Sequence, residues 1–192
     1  LRIYGPDELA KRIRSEQANI VVCEADFCMG EVLDLPLEII ASTRGEPSNV
    51  DVVTATRKGI PILHAPGRNA DAVAELTVGL MFAAMRHIIP ADKDLRQGAV
   101  FKGGTIPFQR YRGREVKGRT IGIVGLGAIG QAVQWRMQGL GLTVISYDPY
   151  NPLATHTSLD TLLAESDIVS IHASPVKETL GMMSEPQFAR MK

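Results

Sequence analysis

"VGLGAIGQAVQWRMQGLGLTVISYDP", residues 124–149, is the stretch whose reading decides the fold. An apolar run enters glycines 125, 127 and 130 in the spacing G-x-G-x-x-G. Ile129, Ala132, Val133, Met137 and Leu140 then recur at helical spacing, and a second apolar run closes on Asp148. Three glycines alone would mark only a turn. Between a predicted strand and a predicted helix, with an acid ending the next strand, they mark a phosphate cradle. Gly125 permits the tight turn, Gly127 lets a diphosphate approach the backbone, and Gly130 lets the helix pack closely on the strand. The helix N-terminus at Ala128 and Ile129 offers free N–H groups and partial positive charge to an anion. Asp148 stands 18 residues past Gly130, where a carboxylate accepts hydrogen bonds from ribose hydroxyls and repels a 2′-phosphate. That favours NAD over NADP as cofactor, with a plain turn ahead of Pro149 as the other reading of Asp148.

Outward from this stretch, short apolar runs alternate with helical patterns, which predicts an α/β fold with a doubly wound parallel sheet of Rossmann type. "TIGIVGL" (120–126), "LTVISYD" (142–148) and "IVSIHA" (168–173) are predicted strands, and 128–139 and 158–167 helices, the latter capped by Ser158. Only the first half of a Rossmann domain is expected, with strand 120–126 at a bare edge. Nearer the start, 19–25, 37–43 and 61–66 are predicted strands, and 49–59 a helix closed by Gly59. Between the two sets, helix 69–88 is apolar on nearly every side and is expected to be buried between two bodies. A shorter helix is expected near 90–97, and 98–119 as an irregular arm suited to dimer contacts.

Composition narrows the function. Lys plus Arg and Asp plus Glu are both 21, so the net charge is zero and no polyanion-binding surface is indicated. Nucleic acid is therefore not an expected partner. No segment reaches the roughly 18 unbroken apolar residues of a membrane span, and no signal peptide opens the chain, so a cytoplasmic protein without membrane contact is expected. Cys23 and Cys28 match no metal-ligand spacing and the four histidines are scattered, so no metal is expected.

With strand, glycine loop and Asp148 in place, the chain resembles the D-isomer-specific 2-hydroxyacid dehydrogenases, the family of phosphoglycerate dehydrogenase. The resemblance is carried by residues 49–88, by "GRTIGIVGLGAIGQAV…YDP", and by "SDIVSIHASPVKETLGMMSEPQFARMK". It implies an NAD-dependent oxidoreductase acting on a small 2-hydroxy or 2-keto acid, as a homodimer. By it, residues 1–66 resemble part of a flavodoxin-like substrate domain and 67–192 part of the NAD-binding domain. Thr77 would face the nicotinamide end, or else only bond its own helix backbone. Ala173 would line the adenosine side. Arg44 and Gly45 would hold the substrate carboxylate in loop 42–49, where Glu46 and Pro47 depart from the family's smaller residues. Ser174 and Lys177 depart from prolines. His172 is not the family's catalytic histidine. The catalytic Arg, acid and His of the family all fall beyond Lys192, so the chain is expected to be an inactive piece of a longer enzyme. The alternative is a non-enzymatic NAD(H)-binding regulator of co-repressor type on the same fold.

Overall fold

The computed structural model describes residues 2–192. Residues through Asn69 form one compact unit and Ala70–Lys192 a second.

The first unit is a three-stranded parallel sheet with helices on it. Helix α1 (Pro6–Ser15) opens with Pro6 and carries Asp7 and Glu8 in its first turn and Arg12 and Arg14 in its last, as the helix dipole favours. It was not anticipated from the sequence. Its Leu9, Ala10 and Ile13 are buried with Val21, Leu33, Ile40 and Ala55. Strands β1 (Ile20–Cys23), β2 (Ile39–Ser42) and β3 (Ile62–Leu63) lie in the order β1-β2-β3, each shorter than its apolar run. Helix α2 (Val52–Arg57) is capped by Asp51, whose carboxylate accepts the Thr54 N–H at 3.0 Å.

The second unit begins with α3 (Ala70–Met85), α4 (Ile88–Arg96) and an arm containing one short helix, α5 (Pro107–Arg110). The expectation that the apolar helix is buried on all sides is corrected here. Ala74 and Met81 are buried, but Leu76 and Leu80 are 62% and 57% exposed. Only one face of α3 packs, against helix α6 (Ala128–Gly139) through Ala74, Val78, Met81, Ala132, Val133 and Met137. No single helix among the described residues is long and apolar enough to cross a membrane. The pair α3 and α4 reaches that length only when joined across a 68° bend.

The sheet of this unit contains β4 (Thr120–Val124), β5 (Thr143–Tyr147) and β6 (Ile168–Ile171), all parallel. Helix α7 (Leu159–Glu165) buries Leu162 and Leu163 against Val124 on one face, and α6 covers the other. Ser158 precedes α7 but makes no side-chain cap bond. The helical pattern after 183 is a single turn, α8 (Glu185–Phe188), held by a capping box of Ser184 and Gln187.

The spatial order is β5-β4-β6, and it overturns the bare edge expected at strand 120–126. Strand β6 pairs with β4 from Ile121↔Ile168 to Val124↔Ile171. On the far side of β5, His156 makes an isolated parallel bridge to Tyr147. That bridge takes the place of the third Rossmann strand, and β6 therefore takes the place of the fourth. The direction of winding reverses between β4 and β6, which is where such sheets open a crevice at their carboxyl ends.

Candidate functional site

The crevice is built by the loops leaving β4, β5 and β6. The Gly125 N–H donates to the Tyr147 carbonyl at 2.8 Å, and the His172 N–H to the Val124 carbonyl at 2.7 Å, so three strand ends are stitched together. Gly125 has φ +91°, and a Cβ there would stand 2.7 Å from the Ala173 nitrogen and the His172 carbonyl carbon. Only glycine lets loops 125–127 and 172–174 approach this closely. A Cβ on Gly130 would lie 2.1 Å from the Gly125 carbonyl oxygen, so helix α6 also needs glycine to start where it does.

Gly127 is different. It has an ordinary extended backbone, φ −73°, and a Cβ there would meet nothing within 4 Å. The space beside it is open groove, and nothing in the fold demands glycine. That is the expected condition of a residue kept bare for a ligand. Ala128 and Ile129 begin the twelve-residue α6, whose first turn holds no acidic side chain, so their N–H groups have no helical partner and face no competing carboxylate.

Asp148 is half-buried at the rim. One carboxylate oxygen accepts the Leu126 N–H at 2.8 Å, and the other accepts the Tyr150 N–H at 2.9 Å. It therefore forms the turn and also braces the glycine loop. Each oxygen keeps a lone pair for a further donor. Two side chains missed in the sequence support the same loop: Asn151 and Gln131 both donate to the Leu126 carbonyl, at 2.8 and 3.0 Å. The position of Asn151, three residues after Asp148, was the available signal.

Gly125, Gly127, Tyr147, Asp148, His172, Ala173, Glu178 and Thr179 line one groove of about 370 Å³. Its outer wall, 174–179, is fixed by the Thr179 hydroxyl, which accepts the Val176 N–H at 2.9 Å and donates to the Ser174 carbonyl at 2.6 Å. Ser174 to Thr179 are thus closed into a hydrogen-bonded turn. Burial lowers the pKa of His172, whose Nε2 lies 2.9 Å from the Ser170 hydroxyl. It forms part of the groove wall.

Thr77 is not among these residues. Its hydroxyl donates to the Val73 carbonyl at 2.8 Å, and it lines a separate hollow of about 360 Å³ with Met81, Ile168 and Ser170. The two hollows share His172.

In the first unit, Arg44 and Gly45 lie on the loop after β2. The Arg44 Nε donates to the Glu24 carbonyl at 2.5 Å and its Nη1 to the Ser48 hydroxyl at 3.1 Å, while the Gly45 carbonyl meets His64 Nδ1 at 2.8 Å. The loop is held by Arg44 and Ser48 within it and by Glu24 and His64 outside it. Among the described residues no cluster of His, Cys, Asp or Glu could hold a metal ion.

A glycine cradle at a helix N-terminus, a winding reversal between β4 and β6, and an acid at the end of β5 define a Rossmann-type dinucleotide-binding domain. The comparisons with known proteins are specific. The chain belongs to the D-isomer specific 2-hydroxyacid dehydrogenases, whose NAD-binding-domain model matches residues 78–192. It is 38% identical over 198 residues to a glyoxylate reductase of Thermofilum pendens, covering 97% of this chain and 57% of that protein. It is 36% identical over 192 residues to a hydroxypyruvate reductase of Thermotoga maritima, covering 97% and 60%. The crystal structure of a D-lactate dehydrogenase of Aquifex aeolicus, complexed with NAD and lactic acid, superposes with a TM-score of 0.80 at 25% identity, covering 95% of this chain and 56% of that one. The chain thus spans somewhat more than half the length of these relatives. NAD is the cofactor of the matched domain.

Proposed function

We propose that this chain supplies the NAD site and the substrate-carboxylate loop of an enzyme that interconverts a 2-keto acid and a 2-hydroxy acid. The observation that carries the reading is Gly127, bare without any steric need, at the N-terminus of α6 and beside a carboxylate-rimmed groove. NAD supplies the hydride acceptor when bound. The N–H groups of Ala128 and Ile129 would hold its diphosphate, with Gly125 and Gly130 shaping the turn. Asp148 would take the adenosine ribose hydroxyls, and Ala173 with His172 would wall the groove beyond. Thr77, next to the hollow that shares His172, would serve the nicotinamide end.

Residues 1–66 are read as part of the substrate domain, with the Arg44 and Gly45 loop receiving the acid's carboxylate. Residues 67–192 are read as part of the NAD-binding domain. A second copy is the proposed partner, covering the arm and α4, where Leu95, Phe101 and Phe108 stand exposed. A cytoplasmic location fits a water-soluble cofactor and substrate. None of the 192 residues is assigned to polarising the carbonyl or moving the proton, so the chain alone is expected to bind without turnover.

The test is to purify the chain, titrate it with adenosine diphosphate ribose, and follow NADH with glyoxylate, pyruvate and hydroxypyruvate. Saturable binding without turnover is expected. Saturable turnover would show catalytic groups within these residues and overturn the division of labour.

A further inference from the structure

Beneath the Arg44 loop lies a cluster of reactive side chains that NAD binding does not use. Cys23 ends β1, and "CEADFC" carries the chain back so that Cys28 pairs with Val50 while Cys23 lies opposite Ser42. Both thiols are free and buried, and their Sγ atoms are 3.6 Å apart. Asn49 is wholly buried and donates through Nδ2 to Cys23 Sγ at 3.3 Å and to the Asp26 carbonyl at 3.0 Å. Its Oδ1 accepts the Ser42 hydroxyl at 2.9 Å, and Ser42 Oγ in turn accepts the Arg44 N–H at 3.3 Å. An unbroken chain of hydrogen bonds therefore runs from Cys28 through Cys23, Asn49 and Ser42 to the backbone of Arg44.

The two sulfurs are chemically unlike. Hydrogen bonds from Cys28 and then Asn49 lower the pKa of Cys23, outweighing its burial, and the bond to Cys23 together with burial raises that of Cys28. The Asn49 amide donates to the Cys23 sulfur, so a thiolate on Cys23 has a donor to hold it. The pair suits stepwise two-electron oxidation, in which one sulfur attacks an oxidant and the other resolves the product.

We propose that Cys23 and Cys28 form a reversible dithiol modification site whose oxidation to a disulfide loosens the Arg44 loop. The oxidant is hydrogen peroxide. The Cys23 thiolate attacks a peroxide oxygen, the O–O bond breaks, hydroxide leaves, and a sulfenic acid remains on Cys23. Cys28 sulfur then attacks Cys23 sulfur; the S–S bond forms, the S–O bond breaks, and the oxygen departs as water with the Cys28 proton. Two electrons pass from the sulfur pair to the peroxide, and a dithiol reductant returns them. Closing the sulfurs to about 2.05 Å turns Cys23 away from Asn49 and leaves a neutral sulfur where the amide had an acceptor. The bonds from Asn49 through Ser42 to Arg44 then keep only the Asp26 carbonyl as their inner anchor, one hydrogen bond fewer than before. Because both thiols are buried, peroxide gains access only when the segment opens, so oxidation is slow and reports that opening. The consequence for acid binding rests on the reading of Arg44 and Gly45 given above, whereas the thiol chemistry does not.

The experiment treats the folded chain with graded hydrogen peroxide, removes the peroxide, and alkylates with iodoacetamide in urea, where buried thiols are reached. The peptide carrying both cysteines is then weighed, and amide hydrogen exchange is measured over 43–49. Expected is a peptide lighter by two hydrogens that resists alkylation, is restored by dithiothreitol, and is accompanied by several-fold faster exchange over 43–49. In Cys28→Ser the sulfenic acid on Cys23 should persist and be trapped by dimedone. Two thiols that are still alkylated in urea, after the folded chain has met a peroxide level that links them in the unfolded chain, would overturn the site. So would separate oxidation of each to sulfinic acid. A disulfide that forms without any change in exchange over 43–49 would overturn the coupling to the loop.

Discussion

Gly127→Ala separates ligand from fold because the three glycines answer to different constraints. At Gly127 the backbone is extended and the added Cβ enters open groove, so no strain arises. Alanine is a poorer N-cap than glycine by roughly 0.5–1 kcal/mol, and it recovers about 0.4–1 kcal/mol by restricting the unfolded chain. Net stability should therefore shift by less than about 0.5 kcal/mol. Binding should suffer far more, because the methyl occupies the path by which a diphosphate reaches the amides of Ala128 and Ile129. Each charge-assisted hydrogen bond displaced is worth roughly 1.5–3 kcal/mol, or about ten- to a hundredfold in affinity. Gly125→Ala is the control with the opposite outcome. It must hold φ +91° at roughly 1–2 kcal/mol and force backbone atoms apart from 2.7 Å, so it should unfold at clearly lower temperature. Thermal melts with calorimetric NAD titrations on both variants give the answer. A Gly127→Ala chain that melts and binds NAD like the parent would refute the reasoning and leave the glycines as a turn.

Asp148→Ala should weaken NAD by about ten- to a hundredfold and narrow its advantage over NADP, measured by parallel titrations. It should also lower the melting temperature, since the Leu126 and Tyr150 amides lose their acceptor. His172 has its pKa lowered by burial, so its contribution to stability is full above about 6.5, the ordinary histidine value, and is lost as pH falls through the lowered value. Melts of His172→Gln between pH 7.5 and 5 should show a flatter acid limb than the parent, and an unchanged limb would contradict this. Phe101→Ser with Phe108→Ser should shift sedimentation from dimer to monomer without changing far-ultraviolet circular dichroism, if these exposed rings face a second copy.

The glycine loop, helix α6 and Asp148 were legible in the sequence because local chemistry dictates them. A tight turn needs glycine, a helix needs its apolar spacing, and the strand between them needs an unbroken apolar run. Spatial order was not legible. The segment that adds to β5 contributes one bridge, at His156, within "NPLATHTS", which carries no strand pattern. The apolar run 168–173 is the third strand in sequence order, whereas β6 lies on the other side of β4 and pairs the edge expected to be bare. Helix α1 was overlooked although Pro6, the first-turn acids and the last-turn arginines all announce it. The apolar composition of α3 suggested burial on every side, yet composition reports only a preference for cover, and Leu76 and Leu80 remain exposed. The bracing of the glycine loop by Asn151 and Gln131 depends on side chains converging from two elements, which spacing along the chain does not reveal.

The central claim is that NAD lies across the ends of β4, β5 and β6, with its diphosphate on α6. Isotope-labelled chain titrated with NAD, and followed by backbone amide shifts, tests it directly. Saturable shifts should be largest at Gly127, Ala128 and Ile129, extend to Tyr150 and Ala173, and be nearly absent from NADP at the same concentration. No saturable shift, or one centred away from the glycine loop, would contradict the account.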